Sequence, residues 1–307
     1  MILTVTLNPS VDRRYNVEDF EKGGVFRSKE TQYTPGGKGI NVSKVLSLLG
    51  EKPLATGFLG GRAGEYIGES LNALNIENDF VNIDGETRSC IAIISGNSQT
   101  EVLEAGPSIN EDELESFFNN YRKQVKKCKF ISISGSLPKG LPLDTYKKLI
   151  EIAKEEGRDV LLDSSGQALK LAIEASPFLI KPNEDEIQSL LGKKLKGEGD
   201  IILAGRELLE KGIKIVIVSL GEKGSLVFHK SDVYKVEVPE IELVSPVGSG
   251  DSMIAGFAAG LSRDYNLEET IKLAAACGTL NAMEKETGYI DPSKLDSIME
   301  KIKVKKL

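Results

Sequence analysis
Short apolar runs along the chain alternate with longer segments whose apolar residues recur at helical spacing. Ile2 to Leu7, Leu54 to Leu59, Phe130 to Ser134, Val160 to Asp163, Phe178 to Ile180 and Ile215 to Ser219 are nearly continuous in apolar residues. That is the pattern of strands covered on both faces. Between them, Glu65 to Leu74, Glu111 to Lys127, Asp144 to Glu156, Ala168 to Ala175 and Asp200 to Lys211 carry helical patterns. The alternation predicts an α/β chain with a mostly parallel central sheet and helices on both faces. Two stretches break it. Arg14 to Thr34 and Asp79 to Leu103 are more polar and read as short strands, Ser89 to Ile94 and Thr100 to Leu103 among them. They predict a small second sheet. The expected organisation is one domain over 1–307, with insertions at about 14–34 and 79–103. The basic tail, Lys301 to Leu307, is expected to fray.

Composition changes this picture little. The 307 residues are 40% hydrophobic and 28% charged, ordinary for a soluble globular protein. A net charge of −7 weighs against nucleic acid as a partner. Cys90, Cys128 and Cys277 are odd in number and far apart, which suggests neither a zinc site nor a disulfide framework. A reducing cytoplasm is the expected compartment. The apolar start lacks a basic flank and a cleavage pattern. No run of about 20 apolar residues predicts a membrane span. The single histidine, His229, lies in the apparent strand Ser225 to His229 and is expected at a strand end rather than in a catalytic triad.

Two glycine clusters carry the candidate chemistry. Near the C-terminus, Gly248-Ser249-Gly250-Asp251 precedes a small-residue run, Met253 to Leu261, that reads as a helix. Glycines let backbone N–H groups converge on a ligand. A helix start adds unpaired donors and the positive end of the dipole. Asp251 then stands where it can take a proton from a hydroxyl attacking a phosphate, or it merely caps the helix. Near the N-terminus, Gly36-Gly37-Lys38-Gly39-Ile40-Asn41 leads into an amphipathic helix ending at Leu49. It lacks P-loop spacing. It suits a sugar phosphate, or serves as a tight strand-to-helix turn.

Six short motifs stand in one order along the chain. They are Asn8-Pro9-Ser10-Val11-Asp12, the GGKGIN segment at 36–41, Ser134-Gly135-Ser136-Leu137-Pro138, Lys181-Pro182-Asn183-Glu184-Asp185-Glu186, Ser219-Leu220-Gly221-Glu222-Lys223-Gly224 and GSGD. The ordered set resembles the phosphofructokinase-B branch of the ribokinase-like sugar kinases, over nearly the whole chain. The opening TVTLNPSVD and the segment from Thr87 to Pro107 are similar to the tagatose-6-phosphate kinase and 1-phosphofructokinase group. The resemblance implies a ribokinase-like fold whose small sheet is a lid that also pairs two subunits.

It also implies roles. Asp251 would be the base, with the N–H groups of Gly248, Ser249 and Gly250 stabilising the transferring phosphoryl group. Its pKa need not be strongly raised, because proton transfer can come late. Asp12, Gly36, Gly37, Lys38, Asn41, Arg88 and Ser136 would bind the sugar phosphate. Arg27 would reach the partner subunit's site or remain a solvated surface arginine. Lys181, Asn183, Ser219, Gly221, Gly224 and Asn281 would bind ATP. Asn281 is also readable as a solvated helix residue, and Asp12 as a turn residue. Glu186 would orient Mg²⁺ through water; with Asn183 it equally spells a helix-capping box. A monovalent cation is a further implied ligand. The activity implied first is ATP-dependent conversion of tagatose 6-phosphate to a 1,6-bisphosphate. The alternatives are 1-phosphofructokinase, then 6-phosphofructokinase, then a non-catalytic sugar-phosphate sensor.

Overall fold
The aliphatic runs become the strands of one large sheet. The computed structural model describes residues 1–96 and 98–307. The N-terminal third contains β1 (Ile2–Thr6), β2 (Ser10–Asn16), β3 (Glu30–Gly36), α1 (Lys38–Leu48), β4 (Pro53–Leu59), α2 (Gly61–Ala73), β5 (Glu77–Asn78), β6 (Val81–Asn82), β7 (Arg88–Ser95) and β8 (Ser98–Leu103). There follow α3 (Glu111–Val125), β9 (Phe130–Ser134), α4 (Thr145–Glu155), β10 (Asp159–Asp163), α5 (Gly166–Ala172), β11 (Leu179–Ile180), α6 (Glu184–Leu191), α7 (Glu198–Glu210) and β12 (Ile215–Ser219). The chain finishes with β13 (Ser225–His229), β14 (Asp232–Glu237), α8 (Ser249–Ser262), α9 (Leu267–Ala282), α10 (Leu295–Met299) and β15 (Lys303–Lys306).

Strands β4, β1, β9, β10, β11 and β12 lie side by side and parallel. The hairpins β13, β14 and β15 extend that sheet antiparallel. Successive side chains of a strand face opposite ways, so each run feeds two cores. Val160 and Leu162 pack with Phe117, Tyr121, Leu149 and Leu208 of α3, α4 and α7. Leu161 packs on the other face with Val42, Ile254, Phe257 and Leu273 of α1, α8 and α9. Helices thus cover both faces, as the alternation predicts. Helix α8 meets α9 at backbone distance: a Cβ on Gly256 would stand 2.6 Å from the Ala274 Cα. Among the described residues no helix is long and apolar enough to cross a membrane.

The small sheet has the order β3-β2-β7-β8. It begins at Ser10, earlier than the polar stretch suggests. Residues 79–87 lie mostly outside it: β6 pairs with Phe58 and Leu59 of β4 instead. The C-terminal tail corrects the expectation of fraying. Residues Lys303 to Lys306 pair with β14, and Ile302 is buried. Lys305 pairs with Glu237 and Lys306 with Asp232. A basic tail finds acidic partners on the strand beside it, and its lysines suit an exposed sheet edge.

Candidate active site
Parallel strands deliver their carboxyl ends to one edge of the sheet, where ligands of open α/β sheets bind. Here Thr6, Ser134, Asp163, Ile180 and Ser219 end β1, β9, β10, β11 and β12 at that edge. His229 pairs with Ile215, the first residue of β12, and so sits at the opposite edge. A cleft of about 400 Å³ lies between the strand ends and the small sheet. Asp12, Gly37, Lys38, Asn41, Arg88, Lys181, Gly248, Gly250 and Asp251 all line it.

Gly248 caps α8 with φ +87°, and no side chain caps the helix start. The contrast is with α3, α6 and α9, each closed by an asparagine–glutamate capping box. The Ser249 hydroxyl is buried with no partner. The Ser249 N–H makes a long contact, 3.3 Å, with the Pro246 carbonyl; a helix start of this kind, beside glycines and an orphaned hydroxyl, fits a phosphate group. Lys181 reaches the same loop: a Cβ on Gly250 would stand 2.9 Å from its Nζ.

Asp251 is 6% exposed, and the Asn41 amide donates to its Oδ2 at 2.9 Å. Burial pushes its pKa up to about 6, against the pull of Lys38 and the Asn41 hydrogen bond; the charge of Asp163 adds to the rise. The carboxylate is therefore more basic than the sequence reading requires, and better matched to abstract a proton near neutral pH.

Asp163 is the residue the sequence reading missed. It closes β10, is 1% exposed, and lies 3.4 Å from the ammonium groups of both Lys38 and Lys181. Burial alone would raise its pKa; Lys181 and Lys38 outweigh burial and hold it below the ordinary value. In return Asp163 raises the Lys38 pKa, opposed by burial and helped by Asp251 and Glu186. Lys38 is thereby held as a cation at the cleft, and Lys181 pairs with the same carboxylate. The available signal was an acid ending an apolar strand at the edge where ligands bind.

Asp12 projects from β2 over Gly36. A Cβ at Gly36 would lie 2.1 Å from the Asp12 carboxylate, so any other residue there would displace it. Burial raises the Asp12 pKa; the Ser10 hydroxyl, bonded at 2.7 Å, and the charges of Lys44 and Arg88 oppose it. Arg88 donates to the Asn8 carbonyl at 3.0 Å and to the Glu104 carbonyl at 2.9 Å, which orients its fork and leaves part of it free. The Asn8 amide reaches Ser136 Oγ at 3.3 Å. Asn8 thus ties two predicted phosphate ligands to one turn. Arg27 is exposed in the connection between β2 and β3 and does not line the cleft.

The remaining motifs meet beside the cleft. Asn183 and Ser219 form a parallel bridge, and the Ser219 N–H donates to the Pro182 carbonyl at 3.1 Å. Gly221 to Gly224 is a closed turn in which Leu220 N–H donates to the Gly224 carbonyl at 2.9 Å. Gly224 also packs against β14, where a Cβ would lie 1.9 Å from the Val236 carbonyl oxygen. Asn183 and Glu186 form the capping box of α6, so the capping reading holds as geometry. Among the described residues no group of three His, Cys, Asp or Glu could hold a metal. Asn281 corrects the reading of a solvated helix residue. It is wholly buried, and its amide donates to the carbonyls of Glu286 and Tyr289. It braces the loop that lies against Gly248. Lys44, also unforeseen, holds the same loop through Glu286 and the Thr287 carbonyl.

The profile described as pfkB family carbohydrate kinase matches residues 5–294. The chain belongs to that family. The kinase is 46% identical over 307 residues to a tagatose-6-phosphate kinase of Staphylococcus epidermidis, covering 99% of each chain. It superposes on phosphofructokinase-2 of Escherichia coli, solved in complex with potassium, with TM-score 0.91 and 30% identity, covering 97% of this chain and 98% of that one. A Thermotoga maritima protein described as a possible 1-phosphofructokinase gives TM-score 0.91 and 30% identity, covering 100% and 99%. Together with the cleft, these relationships make the protein an ATP-dependent sugar kinase of ribokinase-like fold.

Proposed function
We propose that the kinase transfers the γ-phosphoryl group of ATP to the C1 hydroxyl of tagatose 6-phosphate, giving a 1,6-bisphosphate. The relative from S. epidermidis supports that substrate. The observation that carries the chemistry is Asp251, buried at the uncapped start of α8 in the same cleft as Asp12, Lys38 and Arg88.

Asp12 accepts hydroxyls of the sugar, while Arg88, Ser136 and Lys38 hold the phosphate it already carries. Arg offers a fork to phosphate and Lys a point charge. Asp251 takes the proton of the attacking hydroxyl. The N–H donors of Gly248, Ser249 and Gly250 stabilise charge on the transferring group, which is where a loose transition state needs help. Lys181, Asn183, Ser219 and Gly221 receive the nucleotide at the neighbouring strand ends, with Gly224 and Asn281 supporting that wall. Glu186 would help hold Mg²⁺, which would supply neutralisation of phosphate charge when bound. A monovalent cation is a further ligand of this reading.

The lid pairs two chains, and the active protein is a cytoplasmic homodimer. Free Cys90, Cys128 and Cys277 accord with a reducing compartment. The superposition on the T. maritima protein favours one second reading, fructose 1-phosphate as acceptor. A coupled assay of catalytic efficiency on tagatose 6-phosphate, fructose 1-phosphate and fructose 6-phosphate, with ribose and adenosine as controls, separates the two. Highest efficiency on tagatose 6-phosphate is expected; turnover of ribose or adenosine alone would refute the assignment.

A further inference from the structure
The register of the lid fixes what it presents to the cleft. Asp12 of β2, Cys90 of β7 and Leu103 of β8 stand in one row; Arg14, Ala92 and Glu101 stand in a second row two residues along. Residues two apart share a face, and all six line the cleft. In these two rows the middle strand offers a thiol and a methyl group, with Arg88 in the row before them. The underside of the lid is therefore a trough floored by β7, with Asp12 and Arg14 on one wall and Leu103 and Glu101 on the other, so that Glu101 lies diagonally across from Asp12. Glu101 is exposed, and its carboxylate accepts from the Gln99 amide at 2.6 Å. Its charge reaches across the trough far enough to help raise the Asp12 pKa, after the larger effect of burial.

An ionised carboxylate is an acceptor only, and a sugar chain presents hydroxyl hydrogens along its length. Asp12 alone faces one side of such a chain. We propose that Glu101 is a specificity-determining residue that accepts a sugar hydroxyl from the wall opposite Asp12, so that acceptors are graded by the direction in which that hydroxyl points. This rests on the sugar-phosphate kinase reading. Two acceptors on opposite walls can hold hydroxyls of one configuration at once, while an epimer turns one of them away. Its expected weight is that of a charge-assisted hydrogen bond in a partly hydrated position, smaller than for a sealed site.

The test compares the parent with Glu101→Gln, which keeps size and removes charge, and Glu101→Ala. Catalytic efficiency is measured on tagatose 6-phosphate, fructose 6-phosphate and fructose 1-phosphate, together with KM for ATP. In both variants the preferred sugar should lose roughly ten-fold or more in kcat/KM, the others clearly less, with KM for ATP unmoved. The ratio between sugars, which a merely structural role leaves alone, should shrink. A uniform fall on all three sugars, or unchanged ratios, would overturn the assignment. A parent inactive on all three would overturn the proposed function and this assignment together; an active parent whose ratios survive both substitutions overturns the assignment alone.

Discussion
Asp251 combines a charge that burial disfavours with a proposed task that needs it charged. Its pKa of about 6 is set first by burial, and the ionised form is the one that accepts a proton. Catalytic efficiency should therefore rise with pH through a midpoint near 6 and then level off. Asp251→Asn keeps the Asn41 contact within reach and removes the base, so turnover should fall by roughly 10²–10⁴-fold while ATP binding persists. A pH–rate profile with no inflection on the acid side, or a variant within a few-fold of the parent, would refute the role.

At the scale of elements, α6 poses the question of whether one glutamate can cap a helix and serve a metal. The Asn183–Glu186 box has a remote counterpart in Asn266–Glu269 at the start of α9. Glutamine preserves a capping box. Glu186→Gln should thus leave the melting temperature close to the parent but raise the Mg²⁺ concentration needed for half-maximal activity. Glu269→Gln should change neither. Asn266→Ala should cost about 1 kcal/mol of stability, with no change in Mg²⁺ dependence. Identical Mg²⁺ titrations for the two glutamine variants would reduce Glu186 to a cap. The same helices show what was legible beforehand. Strands such as Val160 to Asp163 announce themselves because both faces are buried, and the glycine clusters because few other residues permit their turns. Asp163 gave no comparable signal: Lys38 lies far upstream and Lys181 just past the next strand, and they meet it only when β10, β11 and α1 converge. The edge strand Lys303 to Lys306 was hidden for a related reason, since its pairing depends on acids on β14 rather than on its own apolar content. Asn281 looked solvated because the loop that buries it folds back from beyond the helix.

In the whole molecule, the lid face turned away from the cleft is only partly covered: Val11 is buried against α2, and the Tyr66 hydroxyl donates to the Tyr33 carbonyl. Residues alternate with the cleft-facing set, so Tyr15, Tyr33, Ile93 and Val102 share the opposite side; Tyr33 is 47% exposed and Val102 54%. Apolar surface of that kind, next to sheet edges, favours association. Light scattering should report a dimer at micromolar concentration, and Val102→Asp should shift it toward monomer. Mixing Arg27→Ala chains with inactive Asp251→Asn chains then tests whether Arg27 serves its neighbour. A hybrid dimer would carry one site with both defects and one with neither, so activity should return. Freely exchanging subunits without recovery would confine Arg27 to its own chain or to no role.

The contact between α8 and α9 has a consequence for how this enzyme tolerates change. Gly256 lies five residues beyond Asp251 on the same helix, about 7 Å along its axis. A methyl group there would stand 2.6 Å from the Ala274 Cα, which is backbone and cannot swing aside. Gly256→Ala would favour helix by propensity alone, yet it must push α8 off its neighbour by a large part of an ångström. The proposed base, Asp251, rides on that helix. A substitution that a helix scale scores as an improvement should therefore lower kcat by about ten-fold or more, with far-ultraviolet circular dichroism unchanged. Engineering for heat resistance would reach for such glycines first, and in this chain that route leads through the reaction itself.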